Sequence, residues 1–191
     1  MHPHTIGNYT NAISVFNAGV VCQQIKGQDI TESQWDFFYQ CYCRTYIEHR
    51  STPYLTRDFF KIIGQTLSQN ILLVMAFKDN QPIASALNFY NQNTLYGRYW
   101  GSIEYIPNLH FEVCYYQAQE FCIAENLLFF EGGAQGEHKL ARGFKPKATC
   151  SFHKIAHPDF SQAIEKFVLQ ETQRIAEYTN ELEERAPFKA K

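Results

Sequence analysis

No apolar run in the 191 residues approaches the ~20 that a membrane-spanning helix needs. The longest, residues 71–77, has the length of a strand. No Lys or Arg precedes the mildly apolar stretch 12–22, and Ser14 and Asn17 interrupt it, so it makes a poor signal peptide. Charge of one sign is lacking too: 17 basic and 19 acidic residues give a net charge of −2. That balance excludes the broad basic surface of a non-specific duplex binder and leaves room for a local basic pocket. The six cysteines form no CxxC pair, and Cys41 and Cys43, two apart on a helical pattern, point to different faces. Neither a zinc ribbon nor a redox motif is encoded. Absent also are GxxxxGK[ST], GxGxxG and GxSxG, which removes nucleotide triphosphate chemistry and the Ser-His-Asp hydrolases. The expectation is a soluble cytoplasmic protein with reduced, mostly buried thiols.

Aromatic residues are plentiful, with 16 Phe and 12 Tyr. A chain this long buries about two-thirds of its extended surface, enough for one domain without staples. Residues 1–28 carry weak periodicity. At Thr31, with Gln34 three residues on, a capping box opens a helix to about residue 50. Trp35, Phe38, Tyr42 and Tyr46 form its aromatic face. Pro53 stops it, and Thr56 starts a second helix carrying Phe59, Phe60, Ile63 and Leu67. Strands follow at 71–77, 83–90 and 94–101, joined by turns short enough for an antiparallel meander. A period of two in the third strand places Tyr96, Arg98 and Trp100 on one face and Leu95, Gly97 and Tyr99 on the other. Residues 109–126 read as a helix with a broad apolar stripe, and 127–130 as a buried strand set parallel by the crossover. A last strand is predicted over 148–155. Asp159 then caps a final amphipathic helix with Ile164, Phe167, Val168, Ile175, Tyr178 and Leu182 on its stripe. The fold class is α+β, on a mixed sheet.

Two constellations carry chemistry. The first is the glycine-broken loop 131–143, which follows a strand, as sites of open sheets do. Glu137, His138, Lys139 and Arg142 supply a base, an imidazole and two cations there, and Gln135 a polar donor. The second is the head of the helix at Leu109. Glu112 and Tyr116, four apart, share a face, and a carboxylate on a face turned to the sheet is desolvated toward a general base. Arg98 and Trp100 stand on the strand just before it, placed for ligand contact or for cation stacking in the core wall. His153 and His157 make a weak metal pair, and nothing activates Cys114 or Cys150 as a nucleophile.

Five motifs in order resemble one known family: TPYLTRDFF (52–60), LYGRYWGS (95–102), LHFEVCYYQ (109–117), FEGGAQGEHKLARGFKP (130–146) and PFK (187–189). The chain is similar, over about residues 29–189, to the FemAB-like peptidoglycan biosynthesis/recognition family of N-acyltransferases in the GNAT superfamily. The resemblance implies a single GNAT-like domain over 29–191, a mixed sheet flanked by helices. It implies transfer of an acyl or aminoacyl group from acyl-CoA or aminoacyl-tRNA to a small-molecule amine or cell-wall precursor, with no metal. Members of the family run to about twice this length. The chain then corresponds to the C-terminal half, as a truncated gene product, a half that pairs with itself, or one that pairs with a partner supplying the N-terminal half. The family's basic helix is replaced here by uncharged residues 8–14, and residues 101–107 lack the Q/R-x-x-G-x-G/A loop of acetyl-CoA enzymes. On this basis Glu112, His138 and Glu137 are the expected acid–base residues, and Arg98, Trp100, Tyr116, Gln135, Lys139 and Arg142 the substrate-binding ones. The alternative is a non-catalytic GNAT-like module that binds a cell-wall precursor or an amino-acid-like ligand. Both readings expect the loop 131–143 and the head of the 109–126 helix to share a cleft.

Overall fold

The structure, a computed structural model, describes residues 15–133 and 136–184. Gln135, residues 8–14 and the PFK motif at 187–189 lie outside the described residues. The chain divides into two compact units with the boundary at Gly136.

The first unit is a five-stranded sheet in the order β1-β2-β3-β4-β5. Its strands are β1 (Val20–Lys26), β2 (Ile71–Lys78), β3 (Gln81–Tyr90), β4 (Thr94–Ser102) and β5 (Phe129–Glu131). Neighbours are antiparallel except β4 and β5, which the crossover sets parallel as expected. The strand β1 falls in the N-terminal stretch of weak periodicity. Its VVCQQIK pattern is polar at the centre, and only pairing with β2 makes it a strand.

The central strand β2 is buried from Ile71 to Ala76, because both faces of the sheet are covered. Leu72, Val74 and Ala76 enter one core and Ile71, Leu73 and Met75 the other. Helices α1 (Glu32–Glu48) and α2 (Arg57–Thr66) cover the second face. There Phe60 meets Phe38 edge-on at 5.0 Å and Tyr42 at 5.3 Å. The capping box forms as predicted: Gln34 N donates to Thr31 Oγ1, and Thr31 N donates to Gln34 Oε1 at 2.9 Å. Thr56 caps α2 through the Phe59 amide. Arg57 joins the two helices through Glu32 and Asp36, each at 2.7 Å.

The other face is covered by α3, a helix over 109–124 built of an α turn (Leu109–Phe111), a π segment (Glu112–Tyr116) and an α segment (Gln117–Ala124). The crossover strand β5 is short, and Phe129 is exposed, so the expected buried strand at 127–130 is corrected to an edge strand.

The meander is irregular at one point. Between β3 and β4 the register slips from Leu87↔Tyr99 to Asn88↔Gly97, leaving Arg98 as the extra residue of a bulge. The bulge reverses the alternation of the strand. Leu95 and Trp100 therefore belong to the α3-side core and Tyr99 to the α1-side core. The face assignment made from a strict period of two is corrected accordingly.

The second unit holds a 3-10 helix (Glu137–Arg142) and a long helix α4 (Pro158–Glu184). The expected strand at 148–155 is not formed; those residues have no regular structure. Pro158 occupies the first turn of α4, its natural place, so Asp159 lies inside the helix and is not its cap.

Candidate functional site

Pairing of β4 with β5 ends at Tyr96↔Glu131, and β4 runs on through residues 97–102 without that neighbour. The sheet opens at this point, and a cavity of about 140 Å³ occupies the gap between β4 and α3. Its walls include Trp100, His110, Tyr115 and Phe130, with Arg98 and Asn88 among its polar lining. The His110 imidazole lies 4.8 Å from the Trp100 ring and 5.4 Å from that of Tyr115. Bulge and helix together make this arrangement. The bulge turns Trp100 toward α3, and the first turn of α3 carries His110 to meet it.

Cys114, four residues after His110, also lines the cavity, and burial pushes its thiol far above its usual range. A thiol so held is no nucleophile. A larger cavity of about 470 Å³ beside β1 is bounded by Gly19, Val21, Gln34 and Asp79. Among the described residues Asp79 is its one titratable lining group, whereas the smaller cavity has an imidazole in its wall.

Of the residues expected from sequence, Arg98 and Trp100 line the cavity together, and Glu112 and Tyr116 do not. The π segment explains the difference. Five residues rather than four now bring side chains into line, so Glu112 meets Gln117, whose Nε2 donates to Glu112 Oε1 at 3.0 Å. Gln24 of β1 donates to the Gln117 backbone and side-chain oxygens at 3.0 and 3.1 Å. Glu112 is thus held over β1. Burial raises its carboxyl above the usual value, with a smaller push from Glu120, and the Gln117 hydrogen bond opposes both. On the same strand, burial first and Glu112 and Glu120 next push the Cys22 thiol up to about 12. The desolvated carboxylate expected from sequence is present, on the β1 side of α3.

In the second unit Arg142 Nη1 donates to the His138 carbonyl at 2.6 Å. Burial, then Arg142 and Lys139, hold the His138 imidazole below its usual value, and burial lowers Lys139. Gly133 and Gly136 take positive φ of 77° and 105°, the backbone freedom that the glycine spacing implied. Glu137 opens the 3-10 helix. Glu112 belongs to the first unit and His138 to the second.

The residues that sequence reasoning passed over are His110, Tyr115 and Asn88. His110 and Cys114 are four apart and share a helix face, a signal available in the sequence. Asn88 lies inside an apolar run that reads as core strand. Among the described residues no three His, Cys, Asp or Glu side chains gather as metal ligands, and no helix is long and apolar enough to cross a membrane.

No curated protein sequence matches the chain. Among solved structures, "a possible acetyltransferase" from Clostridium difficile 630 superposes with a TM-score of 0.54 at 10% identity, covering 72% of this chain and 99% of that one. The aminoglycoside N-acetyltransferase AAC(6')-Iy in complex with CoA gives a TM-score of 0.47 at 10% identity, over 72% and 95%. A GNAT family acetyltransferase from Staphylococcus aureus gives 0.43 at 9% identity, over 72% and 99%. At such identities the likeness concerns the fold, which is α+β and GNAT-like. The FemAB-like family of peptidoglycan biosynthesis/recognition proteins matches residues 11–190. The chain belongs to the FemAB-like family.

Proposed function

We propose that the chain is an N-acyltransferase that moves an acyl or aminoacyl group onto an amine, with the reacting centre where β4 and β5 part. One observation carries this reading: the β4–β5 ladder stops at Tyr96↔Glu131 beside an aromatic cavity that holds an imidazole. Among the described residues, 97–102 have no β5 neighbour, so an extended, amide-bearing donor can lie along that edge of β4 as an added strand. A backbone N–H on this edge also suits the tetrahedral oxyanion.

In this reading His110 Nδ1 or Nε2 takes the proton of the attacking amine. The amine nitrogen bonds to the donor carbonyl carbon, the carbon–sulfur or carbon–oxygen bond to the carrier breaks, and the carrier leaves as a protonated thiol or hydroxyl. Glu112, with its carboxyl raised by burial, is the competing base. The family points to a peptidoglycan precursor as acceptor, inside the cell, and to acyl-CoA or aminoacyl-tRNA as donor. A second copy, or a partner with an N-terminal half, completes the assembly in this reading.

The test is turnover by the purified chain with radiolabelled acetyl-CoA or aminoacyl-tRNA and an amine. Transfer that falls at least a hundredfold in His110→Gln and stays within a few-fold in Glu112→Gln supports His110; the reverse pattern assigns the base to Glu112. A second reading is a non-catalytic module that uses the aromatic walls of the same cavity to recognise a precursor. Saturable precursor binding without transfer from any donor would establish it.

A further inference from the structure

Helix α1 packs chiefly on β4 and β3, so the α1-side face of the sheet is left without a covering helix at its β1 end. Ile25 of β1 still reaches the α1-side core, but Val21, four residues earlier on the same face, is 62% exposed. Val21 is the cross-strand partner of Phe77, which is itself only half-buried. The pair makes an apolar floor for the cavity of about 470 Å³ beside β1. That volume lies within the ~300–1,000 Å³ of ordinary ligand pockets. The cavity stands at the opposite end of the strand order from the point where β4 and β5 part, and so is no part of the site described above.

Polar groups surround this floor from three elements. Gln23 is on β1, two residues after Val21 and therefore on the same face. Asp79 and Asn80 are the two residues of the β2–β3 turn, and their φ of 50° and 61° are the left-handed pair of a type I′ hairpin, which fixes where both side chains start. Gln34 comes from the first turn of α1. The capping box holds its Oε1 on Thr31 N at 2.9 Å and leaves its Nε2 to donate. Among the described residues the side chains of Gln23, Asp79 and Asn80 make no hydrogen bond, so a ligand engages them with no internal partner lost.

The lining narrows the occupant. Among the described residues it carries one carboxylate and no cation, which disfavours phosphates and carboxylates and leaves neutral or cationic ligands. Side-chain amides donate and accept, as hydroxyl groups also do. An apolar floor with polar groups on three sides suits a ring that has a C–H face and hydroxyls around its rim. A nucleobase is flat but has no hydroxyls, and would leave most of that rim idle. We propose that this groove is a saccharide-binding site: a pyranose ring rests on Val21 and Phe77, and its hydroxyls exchange hydrogen bonds with Gln23, Gln34, Asp79 and Asn80. Binding there stands on the groove alone and is independent of acyl transfer.

The experiment titrates the full chain with glucose, glucosamine, glucuronate and uridine over the millimolar range, following the Val21 methyl and the Gln23 and Asn80 side-chain amide resonances. Glucose is expected to shift all three. Glucosamine should bind about threefold more tightly than glucose and glucuronate about threefold more weakly, the size of an exposed charge pair with Asp79. Asp79→Asn should abolish that order and keep glucose binding, since Asn is equally at home in the turn. Val21→Lys, at an exposed position of an edge strand, keeps the fold, covers the floor and should abolish the shifts at Gln23 and Asn80. Silence of these resonances with every sugar, shifts that persist in Val21→Lys, or glucuronate bound as tightly as glucosamine would each overturn the proposal. Uridine bound more tightly than glucose would assign the groove to a nucleobase and overturn it as well.

Discussion

Glu112 shows how one carboxylate is set by its surroundings. Its carboxyl titrates above the usual 4.5, chiefly because α3 buries it against β1. The folded protein therefore holds that proton more tightly than the unfolded chain does. Stability from this group is full below pH 4.5 and is lost as pH rises through the raised value. Glu112→Gln keeps a partner for Gln117 and removes the charge. It should raise the melting temperature by a few degrees at pH 7 and leave it unchanged at pH 4, measured by calorimetry. A fall at both values would mean that the charge itself is stabilising. Gly101 is a second decisive residue. A Cβ there would run into the Cys41 carbonyl of α1, on the turn where Thr45 Oγ1 donates to the Trp100 carbonyl at 2.8 Å. Gly101→Ala should destabilise by about 1–3 kcal/mol in urea unfolding, the usual cost of overpacking. Neither effect could be read from the sequence, because each depends on a residue about 60 or more positions, or a whole strand, away.

At the scale of elements, local chemistry was legible and long-range pairing was not. The Thr31–Gln34 box, the Thr56 cap and the turns of the meander each depend on residues within four positions. All of them form as their spacing implied. Thr31→Ala should cost about 0.5–2 kcal/mol of stability, since two amides at the head of α1 lose their arrangement. The loss should be the same at high and low salt, because no ion pair is involved. By contrast, the bulge at Arg98 and the π segment at Glu112–Tyr116 each insert one residue into a regular repeat. Nothing local announces either. They are nevertheless what assemble the site: one turns Trp100 toward α3, and the other moves Glu112 into line with Gln117 and away from Tyr116. Deleting Arg98 should restore a strict alternation, take Trp100 away from His110 and abolish transfer at the β4–α3 cavity. A deletion variant that transfers at the wild-type rate would show that the bulge does not matter.

For the whole molecule, the sheet, its covering helices and the described residues that line the β4–α3 cavity lie before Gly136. A fragment ending at residue 133 should therefore fold on its own, with strand and helix content of the five-stranded unit by circular dichroism and a cooperative melt. A non-cooperative melt would mean that the second unit is needed for folding. His138, Lys139 and Arg142 are organised within the second unit, where Arg142 donates to the His138 carbonyl.

Composition, capping boxes, hydrophobic runs and five ordered motifs were enough to establish an α+β chain of the FemAB-like family, because these depend on neighbours in sequence and on what the chain can bury. The identity of the cavity walls was decided by tertiary structure. Whether Trp100 meets His110 beside an open edge of β4 depends on a register slip between two strands and on where a parallel ladder ends, and both are properties of paired strands rather than of either strand alone.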